Sequence, residues 1–271
     1  MRRRGWWWFA APAAAVFLAF WLLPMVALAW LGTETRDGRS AYLTVLTSYI
    51  YWRSLVNTVL LSLAATVFTL LLALPVGRFL AWHRSFAGRS TLVALLTFPL
   101  AFPGVVVGFF IILLAGRQGI IGSLTKWVSG EPMVFAYGMA GLFLGYLYFS
   151  LPRAIGMISA AAEGLDNSLL EAGRSLGASA WRRFMDIELP ALTPALIGAG
   201  AMSFATSMGA FGTAFTLAAQ IDVLPLTIYN EFTNYANIPV AAALSVLLGV
   251  ASWAVMYAAH AYAGQRSGAA A

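Results

Sequence analysis

Six stretches of this chain are long enough to cross a bilayer and hold no charged residue. They are Gly5–Thr33, Ser54–Gly77, Ser90–Gly116, Pro132–Pro152, Leu189–Ile221 and Phe232–Ala259, with 29, 24, 27, 21, 33 and 28 residues. A helical span needs about 20 predominantly apolar residues, so each run accommodates one. Only 10% of the chain is charged and 61% is hydrophobic, against roughly 25% charged residues in soluble domains. The pattern predicts an all-α, polytopic membrane protein with six transmembrane helices in one domain, residues 1–271. The spans are expected at about 6–31, 55–80, 90–115, 133–158, 191–219 and 238–262, since the longer runs include interfacial turns.

Basic residues between the runs set an orientation. With Arg2, Arg3 and Arg4 before the first span and both ends inside, 11 of the 16 basic residues fall in inside loops and 5 in outside loops. That bias fits the excess of Lys and Arg on cytoplasmic loops, so the net charge of +6 reads as membrane topology rather than nucleic-acid binding. Trp6-Trp7-Trp8 reads as an interfacial anchor on an uncleaved first helix, because the apolar run is too long for a signal peptide.

The longest charged interval, about 162–189, separates the fourth and fifth runs. Asp166 or Ser168 can cap a helix there, and Ser168 with Glu171 has the spacing of a capping box. Leu165, Leu169, Ala172 and Leu176 recur on one face. Gly177 can end that helix in the left-handed conformation, and Ser179 can cap a second short one carrying Trp181, Phe184 and Met185. Pro190 suits the first turn of the helix that follows. Two short amphipathic helices joined at a glycine make a docking knob, or else a solvated loop whose Arg182 and Arg183 face lipid phosphates.

The order Glu171-Ala172-Gly173, Gly177, Ile187, Leu189-Pro190 resembles the EAA loop of permease subunits of type I ABC importers, with Gly173 where the usual form has Ala. The resemblance extends to the six spans and implies the type I ABC importer permease fold in a bacterial inner membrane. It implies that this coupling-helix loop seats in a cytoplasmic ATPase subunit, through Glu171, Ala172, Gly173, Gly177, Trp181, Arg182, Ile187, Leu189 and Pro190. It further implies two such ATPases, which bind the ATP and Mg, a second permease, identical or homologous, and a periplasmic solute-binding protein. FPGVVVGFF and VLPLTIYNEF most resemble permeases for spermidine/putrescine, ferric iron and 2-aminoethylphosphonate, with sulfate and molybdate permeases as close relatives. The solute expected is a small polar molecule or ion of those types. A polyamine path would be expected to carry intramembrane carboxylates, and the runs contain none.

Two runs carry features that suit a path. Pro99 and Pro103, followed by Gly104 and Gly108, should kink or unwind the third. Broken backbone at membrane depth is tolerated where it is buried in protein or lines a cavity; a plain packing kink is the alternative. The fifth run is dense in small residues, which allow close helix approach. Its Gly209–Thr213 segment can serve as a gate or merely as packing. In the resembling family the helix after the EAA loop lines the path, which makes Ser207 and Phe211 the pore-facing candidates, with Pro99 and Pro103 beside them. His83 and His260 read as solvated and interfacial residues respectively.

No Walker phosphate loop occurs and there is no cysteine. No metal-binding motif, carboxylate pair within a run or charged relay occurs either, so neither a membrane enzyme nor an ion-coupled carrier finds its machinery here. An ATP-independent secondary carrier is the alternative class.

Overall fold

The computed structural model describes residues 6–33, 40–217 and 221–268. Among them every regular element is helical. Six helical stretches are long and apolar enough to span a membrane. In chain order the helices are α1 (Ala11–Leu31), α2 (Ala41–Thr47), α3 (Tyr49–Trp82), α4 (Arg89–Thr97), α5 (Gly104–Ala115) and α6 (Ile120–Ser129). They continue as α7 (Met139–Glu163), α8 (Asn167–Ser175), α9 (Ala180–Met208), α10 (Phe211–Leu217), α11 (Leu224–Tyr229) and α12 (Ile238–Gly268).

The chain divides into two compact units, with boundaries inside α3 and α12. One comprises the residues up to Asn57 together with Asp222–Ala251; the other comprises Thr58–Ile221 and the residues from Ser252. In the first unit, α1 buries none of its apolar window in the protein, so its whole surface is left for lipid or a partner. The Tyr42 hydroxyl donates to the Ala29 carbonyl at 2.9 Å. Glu231, 8% exposed, accepts hydrogen bonds from the Tyr51 hydroxyl at 2.9 Å and Asn237 Nδ2 at 3.1 Å. Asp222 pairs with Arg53 at 3.3 Å, and its carbonyl accepts from Asn57. Asn57, expected to be interfacial, thus holds a backbone turn.

The second unit packs through small residues. Ala73, Leu80, Ala154, Ile155, Ile158 and Ala199 form a buried cluster that joins α3, α7 and α9. A Cβ on Gly77 would lie 2.9 Å from Ile158 Cγ2, so glycine there sets the approach of α3 to α7. The same economy brings α5, α7 and α10 together. A Cβ on Gly108 would lie 2.5 Å from Thr216 Cβ, and one on Gly145 would lie 2.5 Å from Thr213 Cγ2.

Two expected spans are placed differently. The third was expected at about 90–115, but the backbone breaks at its prolines. Phe98–Ala101 tightens into a 3₁₀ turn, and Phe102 is extended (ψ 135°), as a residue before proline should be. The membrane-length stretch is instead Gly104–Ser129, and Arg89–Ala101 forms a shorter apolar helix. The fifth was expected at about 191–219. It begins at Ala180, because Pro190 lies inside a continuous helix rather than at its start. It ends at Met208, before Gly209, and residues 218–220 lie outside the described ones.

Pro190 is accommodated by a π-turn. Proline has no amide for the carbonyl four residues back; the helix opens over Phe184–Glu188, and the Leu189 amide bonds to the Phe184 carbonyl instead. Pro24 produces the same response in α1, where Leu18–Leu22 is a π-turn closed by the Leu23 amide on the Leu18 carbonyl.

Candidate coupling site

The segment between α7 and the membrane part of α9 is built from caps. Asp166 accepts from the Ser168 amide at 2.8 Å and so caps α8. This settles the choice between Asp166 and Ser168, and the hydrogen bonds from Ser168 hold the Asp166 carboxyl below its ordinary pKa. Gly177 has φ +76°. Its amide bonds to the Arg174 carbonyl at 2.9 Å, and the Ala178 amide bonds to the Gly173 carbonyl at 3.0 Å, so the orphan carbonyls of α8 are satisfied. Two residues later, the Ser179 hydroxyl accepts from the Arg182 amide at 3.2 Å and opens α9.

The motif residues meet in space. A Cβ on Gly173 would lie 3.1 Å from Ile187 Cδ1 and 3.4 Å from Arg183 Cδ. The third motif position therefore rests on the Ile187 position, fourteen residues away in sequence. Arg183 Nη1 donates to the Ala178 carbonyl at 2.9 Å and ties the turn to the new helix. Behind the turn, Leu170 is buried, while the tip is apolar and open: Leu176 is 87% exposed and Trp181 70%. Glu171, Ala172 and Arg182 are exposed; Leu189 is half-buried, and Pro190 is exposed on α9. Arg182 pairs with Asp186 at 3.4 Å, one turn along the helix, an exposed pair worth little.

Beneath the knob lies a feature that the sequence reading did not anticipate. Glu188 is 5% exposed and accepts from Arg78 Nε at 2.8 Å. The Arg78 guanidinium carbon also stands 4.3 Å from the Phe184 ring centroid, within cation–π range. This pair joins the start of α9 to α3 across 110 residues of sequence. A cleft of about 340 Å³ beside it is lined by Pro75, Phe79, Leu170, Arg174 and Arg183 among others. The available signal was the acid inside the Ile187-Glu188-Leu189-Pro190 run: a carboxylate flanked by apolar residues needs a partner.

The pore candidates are placed together around α10. Pro103 precedes α5 and Pro99 lies in the 3₁₀ turn. The Thr213 hydroxyl donates to the Gly104 carbonyl at 3.1 Å, and the Thr216 hydroxyl donates to the Val105 carbonyl at 3.3 Å. The proline break in the third run therefore packs against the segment that follows the Gly209 break in the fifth. Phe211 is 36% exposed, whereas Ser207 is 1% exposed, within the chain's own packing. His83 is exposed on α3 and stacks on Phe79 at 4.4 Å, and His260 is exposed on α12.

A six-span helical chain with a two-helix knob leading directly into its fifth membrane helix has the architecture of a transport permease. Residues 73–267 match the family of binding-protein-dependent transport system inner membrane components, and the chain belongs to that family. It is a multi-pass permease subunit of an ABC importer, in a family of transport subunits rather than enzymes. It is 38% identical over 169 residues to the molybdenum transport system permease protein ModB of Escherichia coli (strain K12), covering 61% of this chain and 72% of that protein. To the sulfate transport system permease protein CysT of the same organism it is 28% identical over 220 residues, 76% and 78% of the two chains. Among solved structures, a bacterial ABC transporter that imports the acidic polysaccharide alginate superposes with a TM-score of 0.76 at 18% identity, covering 97% of this chain and 96% of that one. The MetNI methionine ABC transporter in an inward-facing form gives 0.64 at 18% identity, covering 80% and 96%.

Proposed function

We propose that this permease imports a small oxyanion of the molybdate or sulfate type, driven by ATPases that grip the Glu171–Pro190 knob. The observation that carries the docking part is the knob's construction. Its apolar tip at Leu176 and Trp181 is open, its turns are fully capped, and its base continues without a break into a membrane helix. An apolar tip held on rigid caps suits insertion into a groove. A continuous helix then passes a rigid displacement into the membrane. Glu171, exposed and without a hydrogen bond or ion pair among the described residues, is left free to meet a donor on the ATPase.

The solute reading is supported by the ModB and CysT similarities; polyamine and iron permeases, to which short phrases of the sequence also have a likeness, carry less of the chain. The knob faces the cytoplasm, as the basic-residue bias favours. The path forms between this chain and a second permease, with a periplasmic binding protein delivering the solute.

The test is reconstitution with the ATPase subunit and binding protein in proteoliposomes, reading uptake of labelled molybdate and sulfate. ATP-dependent uptake is expected, abolished by Trp181→Ala with Leu176→Asp, which should also release the ATPase in a pull-down. Uptake that proceeds without any ATPase subunit would establish a secondary carrier and overturn the proposal.

A further inference from the structure

One charge lies inside a membrane-length helix. Arg153 interrupts α7, whose 25 residues run from Met139 to Glu163. At the Glu163 end the chain gathers polar groups: Arg89 pairs with Glu163 at 3.5 Å, and Arg84 donates to the Glu163 carbonyl at 3.2 Å. Arg153 is ten residues from that end, about 15 Å along the axis.

Its side chain does not reach back toward that polar end, as a snorkelling arginine would. Nη1 meets the Thr206 hydroxyl of α9 at 3.4 Å. The level of Thr206 is fixed by packing, because Ala162 and Leu192 share one buried cluster. Thr206 lies fourteen residues beyond Leu192 on α9, about 21 Å further from the Glu163 end. The guanidinium thus leans deeper into the membrane-spanning region.

The charge is also under-used. A guanidinium has five N–H donors, and one long contact to a hydroxyl occupies one of them. Arg153 is exposed, and among the described residues no carboxylate pairs with it. A Cβ on Gly156, one turn on, would meet nothing within 4 Å, so the space beside the guanidinium is open. Each helix adds a donor that lacks a partner. The Ser150 and Ser207 hydroxyls are 1% exposed and have no hydrogen-bond partner among the described residues, although buried hydroxyls are normally satisfied. Ser150 is three residues before Arg153, and Ser207 is next to Thr206.

An unpaired cation at membrane depth is costly, and such residues mark substrate pathways. We propose that Arg153, with Thr206 and the flanking hydroxyls of Ser150 and Ser207, forms an anion-binding station within the translocation path, taking a tetrahedral oxyanion. This rests on the solute reading above. The planar fork matches two oxygens of such an anion, and the hydroxyls supply donors to the others. The weak Thr206 contact holds the guanidinium in place while the station is empty.

The test uses the full complex in proteoliposomes, with molybdate and sulfate as probes. Arg153→Gln should lower the maximal uptake rate about ten- to a hundred-fold, the range for losing a charge-assisted hydrogen bond, while the ATPase and the second permease still co-purify. The half-saturating concentration, set by the binding protein, should stay put. Arg153→Lys keeps the charge but loses the fork, and should lose only a few-fold. Wild-type rates in Arg153→Gln would overturn the station and leave the oxyanion reading standing. Loss of a co-purifying subunit in Arg153→Gln and Arg153→Lys alike would make Arg153 an assembly contact and also overturn it. If the wild-type complex moves neither probe, the oxyanion reading falls and the station with it.

Discussion

The two ends of α9 solve opposite problems. At its Ala180 end the helix leaves the membrane-length region and is fixed by directional bonds: the Ser179 cap, the Arg183 tie to Ala178, and Glu188 on Arg78. At its Met208 end it stops at Gly209 and is held by shape. The segment after it, α10, is clasped where Gly108 and Gly145 admit Thr216 and Thr213. Polar groups at the first end have partners, whereas near the second Ser207 has none. A lever needs a stiff handle and a working end free to repack. Bonds that cost much to break suit the former, and close contact between small residues suits the latter.

The comparison breaks most sharply at Glu188. Removing one partner of a buried ion pair strands the other, at a cost of about 3 kcal/mol. Glu188→Gln should therefore lower the unfolding midpoint of the detergent-solubilised subunit more than any other single change discussed here. Arg78→Met with Glu188→Leu should recover most of the loss, because a packed apolar pair avoids the desolvation penalty. A double variant as unstable as the single would mean that the Arg78 contact with Phe184, not the ion pair, anchors the handle.

At the other end the sensitive group is a missing methyl. Gly108→Ala places a Cβ 2.5 Å from Thr216 Cβ, an overlap that backbone must relieve, at about 1–3 kcal/mol. Thr216→Ala in the same chain should restore stability. If Gly108→Ala alone unfolds like the wild type, α5 and α10 are not clasped as described.

What the sequence made legible follows the same division. Local rules sufficed for the knob, since Gly177 and Ser179 act on neighbours within a few residues, and six apolar runs sufficed for the span count. Pro190 misled because the cost of proline inside a helix was relieved by a π-turn, which no spacing announces. Counting charge-free runs also ended the fourth span at Pro152, although Ala154–Ala162 continues the apolar helix beyond the single Arg153. The Arg78–Glu188 pair spans 110 residues, and only packing brings it together. Ser207 shows the limit for the path: a small hydroxyl reads alike whether it faces a channel or the chain's own interior.

Within the knob, two glycines separate conformational from steric need. Gly177 has φ +76° with nothing within 4 Å of its Cβ position. Gly177→Ala should therefore cost about 1 kcal/mol through backbone strain alone. Gly173→Ala places a methyl 3.1 Å from Ile187 Cδ1, the end of a side chain that can shift. It should be near neutral, within about 0.5 kcal/mol, consistent with alanine at that place in the usual form of the motif. Equal losses at the two sites would show that the Gly173–Ile187 contact is as rigid as the turn itself.

The smallest effect is expected at Asp166, which is exposed. Its carboxyl is held below the ordinary 3.8 by hydrogen bonds from Ser168. A depressed folded-state pKa contributes stability that is present above the unfolded value and disappears as pH falls through the folded one. Amide-exchange protection over α8 should thus stay level from neutral pH down to about 5 and decline only below the ordinary aspartate value. Asp166→Asn keeps an oxygen that can cap the helix but cannot titrate, so it should flatten that decline. Should the decline persist unchanged in Asp166→Asn, the acid response belongs to Glu163 or Glu171 instead, and the first turn of the handle is held by its backbone rather than by its cap.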